Sequence, residues 1–217
     1  MTEPAQFSLG RRVEHDPRSR AFAFAPAAPR PIVDVAWKRL VNPYDQGNLG
    51  SCTANALCGA LSTKPHRHHF NSQRRIVKVY SRATVIDGFD GEYPPDDTGS
   101  SGLAVAKVAL ERRWISRYEH AFTFDAVLQA LMVGPGITGT VWRSQMFYPE
   151  PDGRVRIGGS DVGGHEYEAY GVDSVNRRIW FFNSWGVGWG IGGRFYLTFE
   201  DYRTLLADDG DFTILVP

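Results

Sequence analysis

The sequence predicts an α+β fold, in which helices and antiparallel strands occupy separate parts of the molecule. Helical patterns come first along the chain, and strand patterns follow from residue 137 onward. Strands and helices do not alternate, so the βαβ units of a parallel sheet are not expected. The 217 residues suffice for one domain with a sizeable core and leave room for two lobes.

Composition and charge exclude several classes of function. Apolar residues make up 42% of the chain and charged residues 22%, which are globular values. The 24 basic and 24 acidic residues balance, so neither nucleic acid nor an anionic membrane is expected as a partner. No run of about 18 apolar residues indicates a membrane span. The first six residues lack the apolar core of a secretory signal, which predicts a cytoplasmic protein or a component of a particle assembled inside a cell.

The first 30 residues are predicted to form an extended arm ahead of a domain that covers residues 31–217. The arm is rich in Pro, Ala and Arg and shows no clear periodicity. Phe22 and Phe24 alternate with alanines, which favours an edge strand. We expect the arm to be dispensable for folding of the domain, and to affect access to a cleft or docking to a protein partner.

Four helices are predicted before the strands begin, each from apolar residues at helical spacing. They run from Cys52 to a point before Pro65, from Ile76 to Ile86, from Leu103 to Arg113 and from Asp125 to Val133. Ser101 is a suitable N-cap for the third helix. Three histidines in residues 66–69 suggest a metal site or a polar loop, and the loop is favoured because no Cys, Asp or Glu stands nearby.

Five strands are predicted in the second part of the chain. They cover residues 137–142, 165–172, 178–183, 193–199 and 211–216, with a long loop at 143–164. Residues 188–193 match the G-x-G-x-x-G pattern of dinucleotide sites, but they lead into a strand rather than a helix, so a hairpin turn is expected. The pairs Asp96-Asp97 and Asp208-Asp209 are expected to be solvated surface charge.

Two cysteines, Cys52 and Cys58, fall on the first predicted helix. Their Cα atoms would be ~9 Å apart at the helical rise, which exceeds the ~7 Å limit for a disulfide. Free cysteines favour a reducing compartment. Cys58 stands among Leu57, Ala60 and Leu61 and is expected to belong to the core.

Cys52 stands where a glycine-rich turn runs into the first helix, in the stretch from Gln46 to Leu57. The partial positive charge at a helix start favours a thiolate, and Gln46 is close enough in sequence to offer an amide N–H beside it. A thiolate with amide donors supplies what acyl transfer requires, a nucleophile and an oxyanion hole. The alternative is a core cysteine at a helix start.

Two later stretches favour the catalytic interpretation. His165 follows Gly163-Gly164, and Asn183 precedes Ser184-Trp185. A cysteine nucleophile requires a base, and the base requires an orienting group, which His165 and Asn183 supply in that order. With Gln46, Gly50-Ser51-Cys52 and the Gly-Trp-Gly at 188–190, these motifs resemble the papain-like cysteine peptidases from about Pro31 to the last residue.

The chain departs from the pattern of that family at several positions. Leu49 and Thr53 stand where the family signature has a cysteine and an aromatic residue around Gly-Ser-Cys. The separations 165 − 52 = 113 and 183 − 52 = 131 compare with ~130–150 in that signature, so the domain is shortened between its halves. Glu166 replaces the small residue that is usual after the histidine.

The resemblance implies a papain-like two-lobe fold, with a helical left lobe that carries Cys52 and an antiparallel, barrel-like right lobe that carries His165 and Asn183. The cleft between the lobes would hold an extended peptide or protein substrate. Cys52 would attack the peptide carbonyl, His165 would act as base and acid, Asn183 would orient His165, and Gln46 would stabilise the oxyanion. No metal or cofactor is required. The alternatives are acyl transfer other than hydrolysis, or a binding or structural module, such as a virion component, with little turnover.

The same resemblance assigns substrate-binding roles to Gly102, Glu166 and Trp185. Gly102 ends the segment that matches the glycine-containing wall of the cleft, and Trp185 would shield the bond between His165 and Asn183 from water. Glu166 borders the pocket for the second residue on the acyl side of the scissile bond, where a carboxylate favours Lys or Arg. The alternative is that Glu166 points away along its strand or pairs with an arginine.

Overall fold

The computed structural model describes residues 7–14, 16–26 and 28–217 of the chain. It confirms the α+β fold, with a helical part that precedes a part built on antiparallel strands. Each part has its own cluster of buried apolar side chains, so the molecule has two lobes. The first six residues of the predicted arm lie outside the described residues.

Three helices build the helical lobe: α1 (Cys52–Leu61), α2 (Gln73–Ile86) and α3 (Gly102–Glu111). Every residue of α1 is buried, and α2 and α3 both pack against it. Ser101 caps α3 as predicted, because its hydroxyl accepts the N–H of Ala104 at 3.0 Å. The buried helix fixes the position of its first residue, Cys52, within the lobe.

A seven-stranded antiparallel sheet forms the second lobe within the described residues. Its strands are β1 (Val35–Ala36), β2 (Arg117–His120), β3 (Gly136–Arg143), β4 (Asp161–Asp173), β5 (Arg178–Phe182), β6 (Arg194–Thr198) and β7 (Asp211–Val216). The order is β2-β7-β3-β4-β5-β6, and β1 pairs with β4. Helices α4 (Phe124–Leu131) and α5 (Phe199–Ala207) pack against the sheet and its aromatic-rich core.

The register of β3, β4 and β7 aligns three residues in one row across the sheet. Gly139 of β3 lies opposite Glu166 of β4 and also opposite Asp211 of β7. Aligned residues of neighbouring strands point to the same face, so two carboxylates flank a glycine without a side chain. His165, one residue earlier on β4, faces the other way and contacts the ring of Trp142.

The elements β1, β2 and α5 were not predicted, and two predicted strands have other bounds for local reasons. β4 begins at Asp161 rather than His165, because Gly163 and Gly164 still pair with β3. The strand predicted to reach Phe199 ends at Thr198, where α5 starts. The Thr198 hydroxyl accepts the N–H of Asp201 at 3.0 Å, and acidic residues follow in the first turn, which together favour a helix start.

The arm does not form the edge strand expected at Phe22 and Phe24. Pro17–Phe22 is instead a short 3-10 helix, capped by the Asp16 carboxylate. Beyond it, Ala23 makes a single bridge to His120, and the N–H of Phe24 donates to the same residue's carbonyl at 2.9 Å. The segment with alternating Phe and Ala therefore contacts β2 at His120 alone and does not add a strand to the sheet.

Three smaller expectations concern turns, metals and cysteines. Residues 188–193 join β5 to β6, and Gly190, Gly192 and Gly193 have positive φ there. Among the residues with described positions, no group of three or more His, Cys, Asp or Glu side chains could hold a metal ion. Both cysteines are free and buried.

None of the described helices combines the length and apolar character needed to cross a bilayer.

Candidate active site

The turn before Cys52 is anchored by a carboxylate from the helical lobe. Asp97 accepts the N–H of Gly50 at 2.9 Å and the hydroxyl of Tyr80 at 2.5 Å. The Tyr80 hydroxyl also accepts the N–H of Gly99 at 2.9 Å. Asp97 is exposed, as predicted, and its carboxylate also links the turn that carries the thiol to α2.

Replacing Asp97 by Ala should lower the free energy of unfolding by about 1–3 kcal/mol, because the N–H of Gly50 and the buried hydroxyl of Tyr80 lose their acceptor. Urea denaturation followed by circular dichroism measures the change. Asp96→Ala is the matched control, since Asp96 is exposed and adjacent. Equal destabilisation by the two substitutions would refute the anchoring role.

The orientation of His165 is fixed by Asn183 and the backbone of Ser184. The Ser184 N–H, a fixed donor, lies 2.7 Å from Asn183 Oδ1. The same oxygen lies 2.7 Å from His165 Nε2, so Nε2 must carry the imidazole hydrogen. Nδ1 of His165 is then the atom with a free lone pair. It is buried and has no hydrogen-bond partner among the described residues.

Aromatic rings enclose the imidazole. The ring of Trp185 stacks on His165 with centroids 4.4 Å apart and planes 19° apart. Trp142 meets His165 edge-on at 5.0 Å. His165 and Asn183 are fully or almost fully buried, so bulk water has no access to the bond between them. Trp185 thus covers one face of the imidazole, and its role as a shield for that bond stays a prediction.

Gln46 is held by contacts from both lobes. Its Oε1 accepts the Ser184 hydroxyl at 2.5 Å, and its Nε2 donates to Leu49 O at 2.8 Å. The same Nε2 also donates to Ser8 O at 3.2 Å. One amide hydrogen is therefore directed at a carbonyl oxygen supplied by the N-terminal arm, in the manner expected for an oxyanion.

Residues 7–12, which we call the N-terminal strip, lie across this site. The N–H groups of Gly10 and Arg11 donate to Gly164 O at 3.2 and 3.0 Å, next to His165. On the other side, Ser100 N–H donates to Gly10 O at 2.8 Å, and Arg12 N–H donates to Ser100 O at 2.7 Å. The strip therefore connects the two lobes by backbone hydrogen bonds.

Burial shifts the pKa values of both Cys52 and His165. Burial raises the pKa of the Cys52 thiol to about 12, although N–H groups of Glu166, Gly10 and Thr53 are directed at the sulfur. Burial also lowers the pKa of His165 to about 4, against the opposing effect of its bond with Asn183. Desolvation therefore opposes the thiolate that the helix start was predicted to favour.

Of the residues predicted to bind substrate, Trp185 donates its ring N–H to Ser8 O at 3.3 Å, the same oxygen that Gln46 contacts. Ser100, rather than Gly102, makes the backbone hydrogen bonds to the strip. Gly102 faces the Glu166 side chain, whose Oε1 lies 2.6 Å from the position that a Cβ of Gly102 would take. Glu166 is fully buried and does not point away along β4. Sequence reasoning missed Ser184, which holds Gln46, and Asp211, which pairs with Arg11. Only the position of Ser184 beside Asn183 offered a signal.

Comparison with known proteins gives similarity at the level of fold. No family model matches the chain. An uncharacterized peptidase C1-like protein of Acanthamoeba polyphaga mimivirus is 25% identical over an alignment of 208 residues, which covers 76% of this chain and 67% of the relative.

Two solved structures show the same fold. Xylellain, a cysteine protease from Xylella fastidiosa, aligns with a TM-score of 0.77 at 21% identity and covers 100% of this chain and 98% of its own. The bromelain protease of Ananas comosus aligns with a TM-score of 0.59 at 13% identity, over 81% and 93% of the two chains. The chain therefore has the papain-like fold, and its structural neighbours are papain-like cysteine proteases.

Proposed function

We propose that this protein is a cysteine peptidase that uses Cys52 as nucleophile, His165 as base and acid, Asn183 as orienting residue and Gln46 as oxyanion donor. The observation that carries the proposal is the protonation pattern of His165. Its Nε2 is bonded to Asn183 Oδ1, and its Nδ1 is buried and keeps a free lone pair. A buried acceptor without a donor is costly, which is expected where a reacting group must bind.

The reaction would proceed through a thioester. His165 Nδ1 takes the thiol proton, and the Cys52 sulfur attacks the carbonyl carbon of the peptide bond. The Cys52 N–H and the Gln46 amide bind the oxyanion. The His165 imidazolium then gives its proton to the leaving amine, and a water molecule activated by His165 hydrolyses the thioester, which restores the thiol.

The N-terminal strip makes the described form a latent one. It occupies the position of a substrate, and its Ser8 carbonyl takes the Gln46 amide. The thiol faces the N–H of Gly10 rather than a carbonyl carbon, so the strip blocks the site without offering a bond for attack. Turnover then requires that the strip leave the cleft. Whether residues 1–30 also bind a protein partner, and whether residues 31–217 fold without them, stay predictions.

Labelling with the E-64 inhibitor, which is bound in the bromelain structure, tests the proposal. We expect one covalent adduct per chain once the strip is released, mapped to Cys52 by fragment-ion mass spectrometry, with none on Cys58, which stays buried in the helical lobe. Cys52→Ser should remove the adduct and Cys58→Ser should keep it. A chain that is neither labelled nor able to cleave a peptide library, even with the strip displaced, supports the alternative of a binding or structural module.

A further inference from the structure

The helical lobe carries a concentration of positive charge that the neutral total of the chain conceals. Residues 46–86 contain six Lys or Arg and no Asp or Glu. The rest of the chain therefore has 24 − 6 = 18 basic residues against 24 acidic ones. This separation of charge gives one part of a molecule without net charge a local positive potential.

The exposed side chains of Arg74, Arg75 and Lys78 on α2 form what we call the basic face. Residues four apart lie on the same side of a helix, so the row from Arg74 to Lys78 continues to Arg82. Arg82 pairs with Glu111 at 3.0 Å. Among the described residues, no carboxylate pairs with the three cations of the basic face. Their charges can therefore bind an anion from outside the chain.

Helix formation does not explain these cations. Arg74 and Arg75 stand in the first turn of α2, which has no acidic residue, and the macrodipole disfavours positive charge at that end. Arg74 and Lys78 are a like-charged pair four residues apart, which also destabilises a helix. The guanidinium of Arg75 lies 4.9 Å from the centroid of the Phe70 ring, which fixes its place at the edge of the face. A binding role accounts for charges that the helix itself disfavours.

The spacing of the basic face matches an extended peptide. Residues four apart on a helix are separated by ~6 Å along its axis. Side chains on one face of an extended chain recur at every second residue, ~6.6 Å apart. Two carboxylates on alternate residues of a peptide can therefore lie opposite Arg74 and Lys78 at the same time.

The neighbouring surface limits the length of the anion. Residues 87–97, which follow α2, contain five Asp or Glu and no Lys or Arg. Glu111 offsets the charge of Arg82 in the last part of the same helix. A long polyanion such as a nucleic acid would meet these negative charges, whereas an acidic stretch of a few residues would not. The occupant that fits the basic face is therefore a short acidic segment of polypeptide.

The helix that carries the basic face also supports the turn before Cys52. On the buried side of α2, the Tyr80 hydroxyl donates to Asp97, which accepts the N–H of Gly50. The two sides of a helix are separated by its diameter of ~10–12 Å. A protein held on the basic face therefore keeps its neighbouring residues near the cleft, which raises their effective concentration there.

We propose that the basic face docks protein substrates through a short acidic segment that stays outside the cleft. Arg74 and Lys78 bind its carboxylates, and Arg75 adds positive charge beside them. Docking lowers KM for such substrates and leaves the chemical step unchanged, because the segment is bound equally before and during the reaction. The inference rests on the proposed peptidase function where it names a substrate, whereas docking itself requires no turnover.

Binding to the full-length Cys52→Ser protein tests the docking site without cleavage. Two fluorescent peptides of about seven extended residues are compared by anisotropy, one with Glu at alternate positions and one with Gln in their place. We expect the Glu peptide to bind roughly three- to thirtyfold more tightly at low salt, as two or three surface ion pairs would give. The ratio should fall as the salt concentration is raised toward about 1 M.

Combining Arg74→Gln with Lys78→Gln should abolish the preference for the Glu peptide. The control combines Arg30→Gln with Arg203→Gln, which removes the same charge from exposed positions beside α4 and should keep the preference. With the active protein, an acidic extension on a substrate peptide should lower KM relative to a Gln extension, at the same turnover number. The α2 double variant should lose that difference and cleave the peptide without an extension as the wild type does.

Equal binding of the Glu and Gln peptides would overturn the docking site. Equal losses in the two double variants would also overturn it, because net charge would then be the cause. A single-stranded oligonucleotide that binds the basic face at least as tightly as the Glu peptide would rule out an acidic segment as the specific occupant. Docking of the Glu peptide by a protein that cleaves no peptide would support the basic face and contradict the peptidase function instead.

Discussion

Replacing Gly10 by Ala should raise the rate of Cys52 alkylation and of peptide hydrolysis by roughly five- to 150-fold. The N-terminal strip lies so close to the turn before Cys52 that a Cβ at Gly10 would stand 2.6 Å from the Cα of Gly50 and closer still to its carbonyl. That separation is too short for real atoms. The strip must therefore move away, while the rest of the chain is unchanged.

The size of the effect follows from the equilibrium between docked and released strip. Forcing an extra methyl group into a close-packed contact typically costs about 1–3 kcal/mol. That cost destabilises the docked form and raises the fraction of molecules whose strip is released. Iodoacetamide labelling of Cys52 relative to Cys58 measures the population without a substrate. Cys58 is fully buried in the helical lobe, and its labelling should not change.

Gly88→Ala is the matched control for this experiment. Gly88 follows α2, and a Cβ there would meet no atom within 4 Å. It should leave the labelling of Cys52 and the hydrolysis rate at wild-type levels. If Gly10→Ala and Gly88→Ala behave alike, the strip does not limit access to the thiol and the latent form is not supported.

The pH dependence of labelling should change in the same variant. With the strip docked, burial holds the pKa of Cys52 at about 12, so the thiol is neutral and labelling keeps rising with pH through the alkaline range. Release of the strip admits water, which removes the desolvation that raises this pKa. The labelling rate of Gly10→Ala should therefore level off at a lower pH than that of the wild type. An identical profile in both proteins would contradict desolvation as the cause.

Local motifs made much of the candidate site predictable. Cys52, His165 and Asn183 each stand in a short stretch with recognisable neighbours, and the structure brings His165 and Asn183 into direct contact. Helix bounds were predictable for the same reason, since apolar spacing and the Ser101 cap are local signals. Glu166 stood out because the family that the sequence resembles usually has a small residue directly after the histidine.

The remaining features depend on contacts between distant parts of the chain. Arg11 and Asp211 are 200 residues apart in sequence, and no periodicity links a residue of an arm to the start of a strand. Asp96 and Asp97 are adjacent, yet only Asp97 reaches the turn before Cys52. Local sequence predicts that a helix start lowers the pKa of a thiol, whereas the fold decides whether a segment covers that thiol and reverses the shift.

Replacing Asn183 by Ala should lower the turnover number by roughly 10²–10⁴-fold, the usual contribution of a correctly placed general base. Asn183 Oδ1 is the acceptor that keeps the imidazole hydrogen on Nε2 of His165. Without it, the hydrogen is free to move to Nδ1, the atom that must accept the thiol proton. The expected loss therefore lies in the turnover number rather than in substrate binding, because Asn183 is buried behind the Trp185 ring.

Two measurements separate this effect from simple destabilisation. Nitrogen NMR of the imidazole reports which ring atom carries the hydrogen, and the Nε2–H form should dominate only in the wild type. Asn176→Ala is the matched control: Asn176 binds Asp173 in an exposed turn at the end of β4, so both the tautomer and the turnover number should remain unchanged. A fully folded Asn183→Ala protein with wild-type turnover would show that His165 is oriented by its stacking on Trp185 alone. The proposed role of Asn183 would then be wrong, since the imidazole would keep its productive tautomer without an acceptor at Nε2.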